Sequence, residues 1–79
     1  MNDLRLTCDP RVSHRFYEMI NGKGYDYSAY TERISECVWE MVNTDIEDYP
    51  NEDFAYDMIE AIEDYGINKK YFSVEIIAI

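Results

Sequence analysis

Basic residues are scarce in this sequence of 79 residues, which has seven Lys and Arg against 17 Asp and Glu and a net charge of −10. A charge of that sign and size repels nucleic acids and anionic membranes, so we expect direct binding to neither. Long apolar runs are also missing. None approaches the roughly 18 residues of a membrane span, and residues 1–9 contain no run typical of a secretory signal. The sequence therefore predicts a cytoplasmic protein whose partner is basic.

Residues that carry catalysis or hold cofactors are few. His14 is the single histidine, and the helical pattern around it places it on an exposed face. Cys8 and Cys37 are too few for a disulfide scaffold, and the sequence indicates no base beside either thiol. Neither a serine nucleophile elbow nor a phosphate-binding glycine loop is found. We expect no enzymatic activity and no cofactor.

Clustered carboxylates in one segment raise the question of a metal site. Asp45, Glu47 and Asp48 lie close together between predicted helices, and hard cations such as calcium bind clustered oxygens. Tyr49 and Pro50, however, occupy positions at which an EF-hand loop needs a ligand and a glycine. The sequence predicts no metal site here.

Apolar and aromatic residues are abundant. Hydrophobic residues make up 47% of the sequence, including eight Tyr, three Phe and one Trp, which is typical of a folded protein and not of a disordered acidic tail. A chain of 79 residues is long enough for one hydrophobic core and too short for two. Residues 1–79 should therefore form a single acidic domain.

A strand is predicted at each end of the chain, with helices between them. Leu4 and Leu6 alternate with polar residues near the start, and the β-rich apolar segment 70–79 ends the chain. Helical spacing of apolar residues is found at 10–20, after the N-cap Asp9, at 28–43, and from Asn51 to a stop at Gly66. The predicted fold class is α+β, a small single domain in the order strand, three helices, strand, with the terminal strands paired.

The acidic residues are concentrated in the second half of the chain. Between Ile34 and Asn68 there are eleven carboxylates and no Lys or Arg. On the predicted helices they form two stripes, without the Lys at i+4 that usually balances an exposed helix. The first stripe is Glu32, Glu36 and Glu40, and the second is Asp53, Asp57, Glu60 and Asp64.

Two aromatic residues are predicted to be exposed among these acids. Trp39 and Tyr56 belong to the residue types that are enriched at interface hot spots. Their position distinguishes the acidic surface from a merely solvated face, which remains an alternative interpretation of any charge run. The predicted partner-binding residues are Glu32, Glu36, Trp39, Glu40, Asp45, Glu47, Asp48, Asp53, Tyr56, Asp57, Glu60, Glu63 and Asp64.

Through its size and these two acid stripes, the chain resembles small acidic phage or plasmid proteins that imitate nucleic acid and block host defence, including anti-CRISPR and anti-restriction inhibitors. Its predicted order of elements, with a tyrosine-rich entry at 25–30 and then Cys37 and Trp39, is similar to that of barstar-like nuclease inhibitors. The segment 44–50 departs from that pattern because it shows no clear middle strand. By composition the chain also resembles bacterial immunity proteins. These resemblances imply that the protein occupies a basic nucleic-acid site on another protein.

Two functional hypotheses follow. The first is an inhibitor whose acidic helical surface occupies the nucleic-acid-binding site of a CRISPR effector, a restriction component or a nuclease, in the host cytoplasm if the protein is phage-encoded. The second is an immunity or adaptor protein for a basic toxin or another basic partner. Alternation in the last strand also leaves Ile77 and Ile79 without cover inside the domain, which predicts a homodimer through the C-terminal strand as a secondary hypothesis.

Overall fold

The computed structural model describes residues 2–22, 31–42 and 50–77, which form six main elements in the order β-α-β-β-α-β. The fold class is α+β, as predicted. Short 3-10 turns, Pro10–Val12 and Lys69–Tyr71, precede the first helix and the last strand. The strands are β1 (Leu4–Cys8), β2 (Thr31–Ser35), β3 (Val38–Met41) and β4 (Phe72–Ile76), and the helices are α1 (Ser13–Asn21) and α2 (Asn51–Asp64).

The four strands form one antiparallel sheet in the order β2-β3-β1-β4. β1 pairs with β4 from Leu4 opposite Ile76 to Cys8 opposite Phe72, so the terminal strands are paired as predicted. On its other side β1 pairs with β3. Each β-α-β unit therefore has one strand of the other unit between its own two strands, which is the split β-α-β arrangement.

The second predicted helix is wrong, because residues 31–41 of the predicted span 28–43 form the β2-β3 hairpin. Trp39 and Met41 point into the core while Glu40 points to the other face, which is the period of two expected for a strand. The predicted helical stripe also fitted a period of 3.6, and the turn at Glu36 and Cys37 contains no Gly or Asn to indicate a hairpin. The described residues thus contain two helices and not three.

The other two predicted helices are present with adjusted ends. Asp9 accepts a hydrogen bond from the backbone N–H of Arg11 at 2.9 Å, as expected of an N-cap, but the first turn is 3-10 and α1 begins at Ser13. α2 begins directly after Pro50, and Gly66 follows it with a φ of 100°, a conformation that favours glycine. Of the predicted loop 44–50, only Pro50 lies within the described residues, and it belongs to no helix or strand.

Both helices pack on the same face of the sheet. At the centre of the core the Phe16 ring of α1 stacks on the Trp39 ring of β3, with centroids 5.5 Å apart. The opposite face, which carries Arg5, Glu40 and Glu75, is covered by no described element. Within the described residues, the sheet therefore has a face packed against the helices, which we call the dry face, and a face of polar and charged side chains, which we call the wet face. The core consists of Leu4, Leu6, Cys8, Phe16, Met19, Ile20, Trp39, Met41, Phe54, Met58, Ile62 and Ile67.

The C-terminal strand differs from the sequence prediction in which side chain is exposed. Ile77 is half-buried, and its backbone N–H donates to the carbonyl of Asp3 at 2.8 Å. Ile76 is the large apolar residue that remains 44% exposed. Ile79 lies outside the described residues. In the part of the chain that the structure covers, no helix has the length and apolar character to cross a membrane.

Candidate functional site

The exposed surface of α2 carries six carboxylates and no basic residue. Because successive residues on a helix turn by about 100°, four of these carboxylates fall within a strip of roughly 60°. That strip is Asp53, Asp57, Glu60 and Asp64, the stripe predicted from the sequence. Glu52 and Glu63 lie beside it. We call the six carboxylates, together with Tyr56, the acidic helix face.

Tyr56 lies in the middle of the acidic helix face. Its side chain is 63% exposed, as predicted from the sequence. At about 100° per residue it projects between Glu52 and Glu63 on one side and Asp53 and Glu60 on the other. An apolar ring with a polar tip is thus surrounded by carboxylates on the part of α2 that faces away from the sheet.

The linear charge density of this face is close to that of one nucleic-acid strand. Fourteen residues of α2 extend over about 21 Å at the helical rise, so six carboxylates give about one charge per 3.5 Å. A single strand of DNA carries one phosphate per about 3.4 Å, and a duplex about one per 1.7 Å. The acidic helix face therefore matches a single strand in average linear charge density.

Four arginines in the described part of the chain have their nearest polar partners outside the six carboxylates of this face. The guanidinium of Arg5 pairs with Glu40 at 3.0 Å, and that of Arg11 pairs with Asp9 at 3.2 Å. Arg15 and Arg33 donate to backbone carbonyls. Within residues 2–22, 31–42 and 50–77, no Lys or Arg lies within ion-pairing distance of Asp53, Glu60, Glu63 or Asp64.

Trp39 does not belong to this surface, and the prediction that it is exposed is wrong. Its side chain is 1% exposed and lies in the core against Phe16. The guanidinium of Arg33 sits 5.0 Å from the Trp39 ring and 5.2 Å from the Tyr17 ring, between the sheet and α1. Because β3 replaces the predicted helix, the aromatic ring that was expected beside the acids faces inward.

The acids of the hairpin form a second, separate patch on the wet face of the sheet. Glu32 lies opposite Glu40 in the β2-β3 ladder, and the side-chain amide of Asn2 donates to both carboxylates, at 3.1 and 2.7 Å. The hydrogen bonds from Asn2 and then Arg5 hold the pKa of Glu40 below its usual value. Glu36 is exposed in the hairpin turn. The predicted continuous surface is therefore divided by the sheet, because α2 covers the other face.

Three of the predicted site residues are in the segment 43–49. Asp45, Glu47 and Asp48 lie outside the residues that the structure describes. These three acids therefore belong to the sequence prediction alone.

One feature that the sequence did not indicate is the proximity of the two thiols. Cys8 and Cys37 face each other across β1 and the hairpin turn, and the backbone N–H of Cys8 donates to the carbonyl of Cys37 at 3.0 Å. Burial, and then the neighbouring Cys37, raise the pKa of the Cys8 thiol to about 12. A thiol held protonated in this way is a poor nucleophile.

The described residues also contain a cavity between the two helices, but no cluster suited to a metal ion. A cavity of about 260 Å³ lies open between α1 and the end of α2, lined by Tyr17, Glu18, Asn21, Gly22 and Tyr65. No group of three His, Cys, Asp or Glu side chains in the described parts of the chain is placed to hold a metal ion. No protein-family model, curated protein or solved structure matches the chain.

Proposed function

We propose that the protein is a non-enzymatic inhibitor whose acidic helix face occupies a basic nucleic-acid-binding site on a partner protein, of the kind found in CRISPR effectors, restriction components and nucleases. The observation that supports this proposal is a face of six exposed carboxylates on one helix, whose average linear charge density is close to that of a single strand. A helix packed on a sheet holds these charges at fixed positions. The face is therefore ordered before binding, which reduces the entropy lost on association.

Charge and aromatic contact have different parts in this mechanism. The carboxylates take the place of phosphates against Lys and Arg of the partner, which accelerates the encounter and makes it sensitive to salt. Tyr56 lies among the carboxylates in a position comparable to that of a base beside the phosphate backbone. Proteins that bind single strands stack the bases on aromatic side chains. Tyr56 would fill such a stacking position and slow dissociation.

In this fold, the proposed imitation of nucleic acid is limited to the single helix α2. Two parallel acidic helices would approximate a duplex, but Glu32 and Glu40 lie on the other side of the sheet from α2. A flat site on the partner that contacts Asp53 and Glu60 of α2 cannot contact Glu32 and Glu40 at the same time. We therefore infer that the site occupied on the partner is one that holds a single strand or one strand of a duplex.

Affinity capture followed by competition tests the proposal. The tagged protein is incubated with nuclease-treated host lysate, captured proteins are identified by mass spectrometry, and each is purified. Binding of a fluorescent single-stranded oligonucleotide to the purified partner is then followed by anisotropy while the inhibitor is added. We expect the oligonucleotide to be displaced. A partner that binds the oligonucleotide and this protein at the same time would contradict the proposed mimicry.

Charge reversal with a matched control tests the site. The triple variant Asp53→Lys, Asp57→Lys, Glu60→Lys raises the net charge by six, from −10 to −4. It should abolish displacement of the oligonucleotide. The control variant Glu18→Lys, Glu32→Lys, Glu36→Lys makes the same change of net charge at exposed positions outside the acidic helix face. It should still displace.

The outcome of these experiments also separates the second functional hypothesis. Equal loss in the two triple variants would mean that net charge alone, and not the acidic helix face, drives binding. Capture of a basic toxin or of a protein that handles no nucleic acid would instead favour an immunity or adaptor role.

A further inference from the structure

Strand β4 forms an edge of the sheet with its outer backbone groups turned away from β1. Among the described residues β4 pairs with β1 alone. The backbone N–H of Asp9 donates to the carbonyl of Tyr71, and that of Ile77 to Asp3, both at 2.8 Å. Hydrogen bonding alternates along an antiparallel strand, so the backbone N–H and C=O groups of Phe72, Val74 and Ile76 point outward.

The same edge is apolar on its helix side. Phe72, Val74 and Ile76 project toward the helices, and Ile59 of α2 borders Phe72 and Val74. Together with Lys69 and Ser73, Ile59, Phe72 and Val74 line an open cavity of about 290 Å³. Outward-pointing backbone groups and half-exposed apolar side chains are therefore found along one line.

The opposite edge of the sheet is protected in ways that β4 is not. In β2 the register shifts between Arg33 and Ser35, and the Arg33 side chain lies inward across Trp39. Bulges and inward-pointing charges are devices that prevent edge-to-edge pairing. β4 has a continuous register with β1 and neither a proline nor an inward-pointing charge.

We propose that β4 pairs with β4 of a second copy of this chain, antiparallel and with the two-fold axis at Val74, so that two sheets join into one of eight strands. This proposal is independent of the proposed function, because Tyr56 and the strip of four acids stay on the exposed side of α2. In this register Phe72 lies opposite Ile76 of the second copy, and Val74 lies opposite its own counterpart. The apolar row is complementary to itself.

On the wet face, the same register keeps like charges of the two copies from lying directly opposite each other. The axis at Val74 places Glu75 opposite Ser73 of the second copy, so that the two Glu75 carboxylates do not face each other. The two α2 helices, each packed on its own β4, come side by side and repel. We therefore expect the dimer to strengthen as salt is added, whereas binding of a basic partner weakens.

Light scattering and sedimentation at micromolar concentration, in low and in high salt, test the dimer. The expected mass is twice 9.4 kDa. Ile76→Lys should raise the dissociation constant by about a hundredfold, since the dimer contains residue 76 twice and each loss costs about tenfold. Ile34→Lys on the opposite edge is the matched control, because Ile34 is 48% exposed and Ile76 is 44% exposed. It should leave the dimer intact.

A cross-link tests the register with a substitution that keeps the strand apolar. Val74→Cys places two thiols across the axis, and oxidation by oxidised glutathione should join the copies, with two thiols losing two protons and two electrons to the glutathione disulfide. The unsubstituted chain, which retains Cys8 and Cys37, is the control on the same non-reducing gel. A mass of 9.4 kDa at every salt concentration, dissociation by Ile34→Lys alone, or a dimer that Val74→Cys does not cross-link would overturn the proposal.

Discussion

Arg15 of α1 donates hydrogen bonds to the carbonyl of Gly66 from Nη1 and to the carbonyl of Tyr65 from Nη2, both at 3.0 Å. These carbonyls stand at the C-terminal end of α2, where the helix dipole is negative. Glu63 and Asp64 add further negative charge there, and the last turn contains no basic residue of its own. Arg15 therefore supplies from another helix the cation that α2 lacks.

Replacing Arg15 should reduce the stability of the fold. Arg15→Ala removes two hydrogen bonds to the end of α2 and the cation–π contact with Tyr65, and we expect it to lower the free energy of unfolding by about 1 to 2 kcal/mol. Arg15→Lys should recover only part of this, because an ammonium cannot span both carbonyls as the guanidinium does. Urea denaturation followed by circular dichroism measures the difference. Arg11→Ala, which removes an exposed pair with Asp9 and a cation–π contact with Tyr71 but no hydrogen bond to a helix end, is the control and should cost less.

The environment of Trp39 is the second testable feature. As the single tryptophan, it reports by fluorescence on one place in the fold. Its burial against Phe16 predicts emission at shorter wavelength than in the urea-unfolded chain and weak quenching by acrylamide, which is neutral and so is not repelled by the acids. Trp39→Ala should cost about 3 to 5 kcal/mol of stability.

Tyr56 provides the contrast to Trp39. Tyr56→Ala removes an exposed ring and should change stability by no more than about 0.5 kcal/mol. Strong acrylamide quenching of the folded protein, or equal destabilisation by Trp39→Ala and Tyr56→Ala, would be inconsistent with the structure.

The sequence correctly predicts those parts of the fold in which the spacing of apolar residues fits only one type of secondary structure. Leu4 and Leu6 alternate in a short strand, and α2 has helical spacing with a proline before it and a glycine after it. Residues 31–41 fit both periods, and choosing between them depends on long-range pairing. β3 pairs with its hairpin neighbour β2 and also with β1, whose Leu6 lies opposite Trp39 and is distant from it in sequence. The residues near β3 in sequence do not reveal its pairing with β1.

The predictions for the candidate site also depend on whether each segment is correctly assigned as helix or strand. The acidic helix face was predicted because charge spacing on a correctly assigned helix fixes which residues share a side. Glu32 and Glu40 were placed in a helical stripe, and the strand assignment moves them to the wet face of the sheet. Trp39 changes from an exposed residue to a core residue for the same reason.

Stability at high pH should depend on Cys8. Its pKa is raised from its ordinary value of 9.0 to about 12 in the folded protein, so the folded state keeps its proton where the unfolded state loses it. The resulting stabilisation of the protonated thiol is fully present below pH 9.0 and is lost as pH rises toward 12. The free energy of unfolding should therefore fall progressively as pH rises from 9.0 toward 12. Urea unfolding between these limits measures it.

Other groups titrate in the same range, and a variant removes their contribution. Cys8→Ala keeps every tyrosine and lysine but has no thiol at position 8. Its stability should fall less steeply with pH than that of the unsubstituted protein. Parallel curves for the two proteins would show that Cys8 is not the responsible group.

Substitutions at the two ends of α2 can separate the effect of charge on stability from its effect on partner binding. Asp53 lies in the first turn, where a carboxylate complements the helix dipole, and Asp64 lies in the last turn, where it opposes the dipole and is near Glu60. Asp64→Lys should therefore stabilise the protein by about 0.3 to 1 kcal/mol, and Asp53→Lys should destabilise it by a similar amount. Both substitutions make the same change of net charge.

Binding to the basic partner should respond to these two variants in the same direction. Each variant replaces one of the phosphate-like charges in the strip, so each should weaken displacement of the oligonucleotide and reduce its salt dependence. Opposite effects on unfolding in urea, combined with equal losses in the anisotropy assay, would assign the acids of the last turn to partner binding at a cost in stability. If Asp64→Lys stabilises the fold and displaces the oligonucleotide as well as the unsubstituted protein does, the C-terminal end of the strip lies outside the interface.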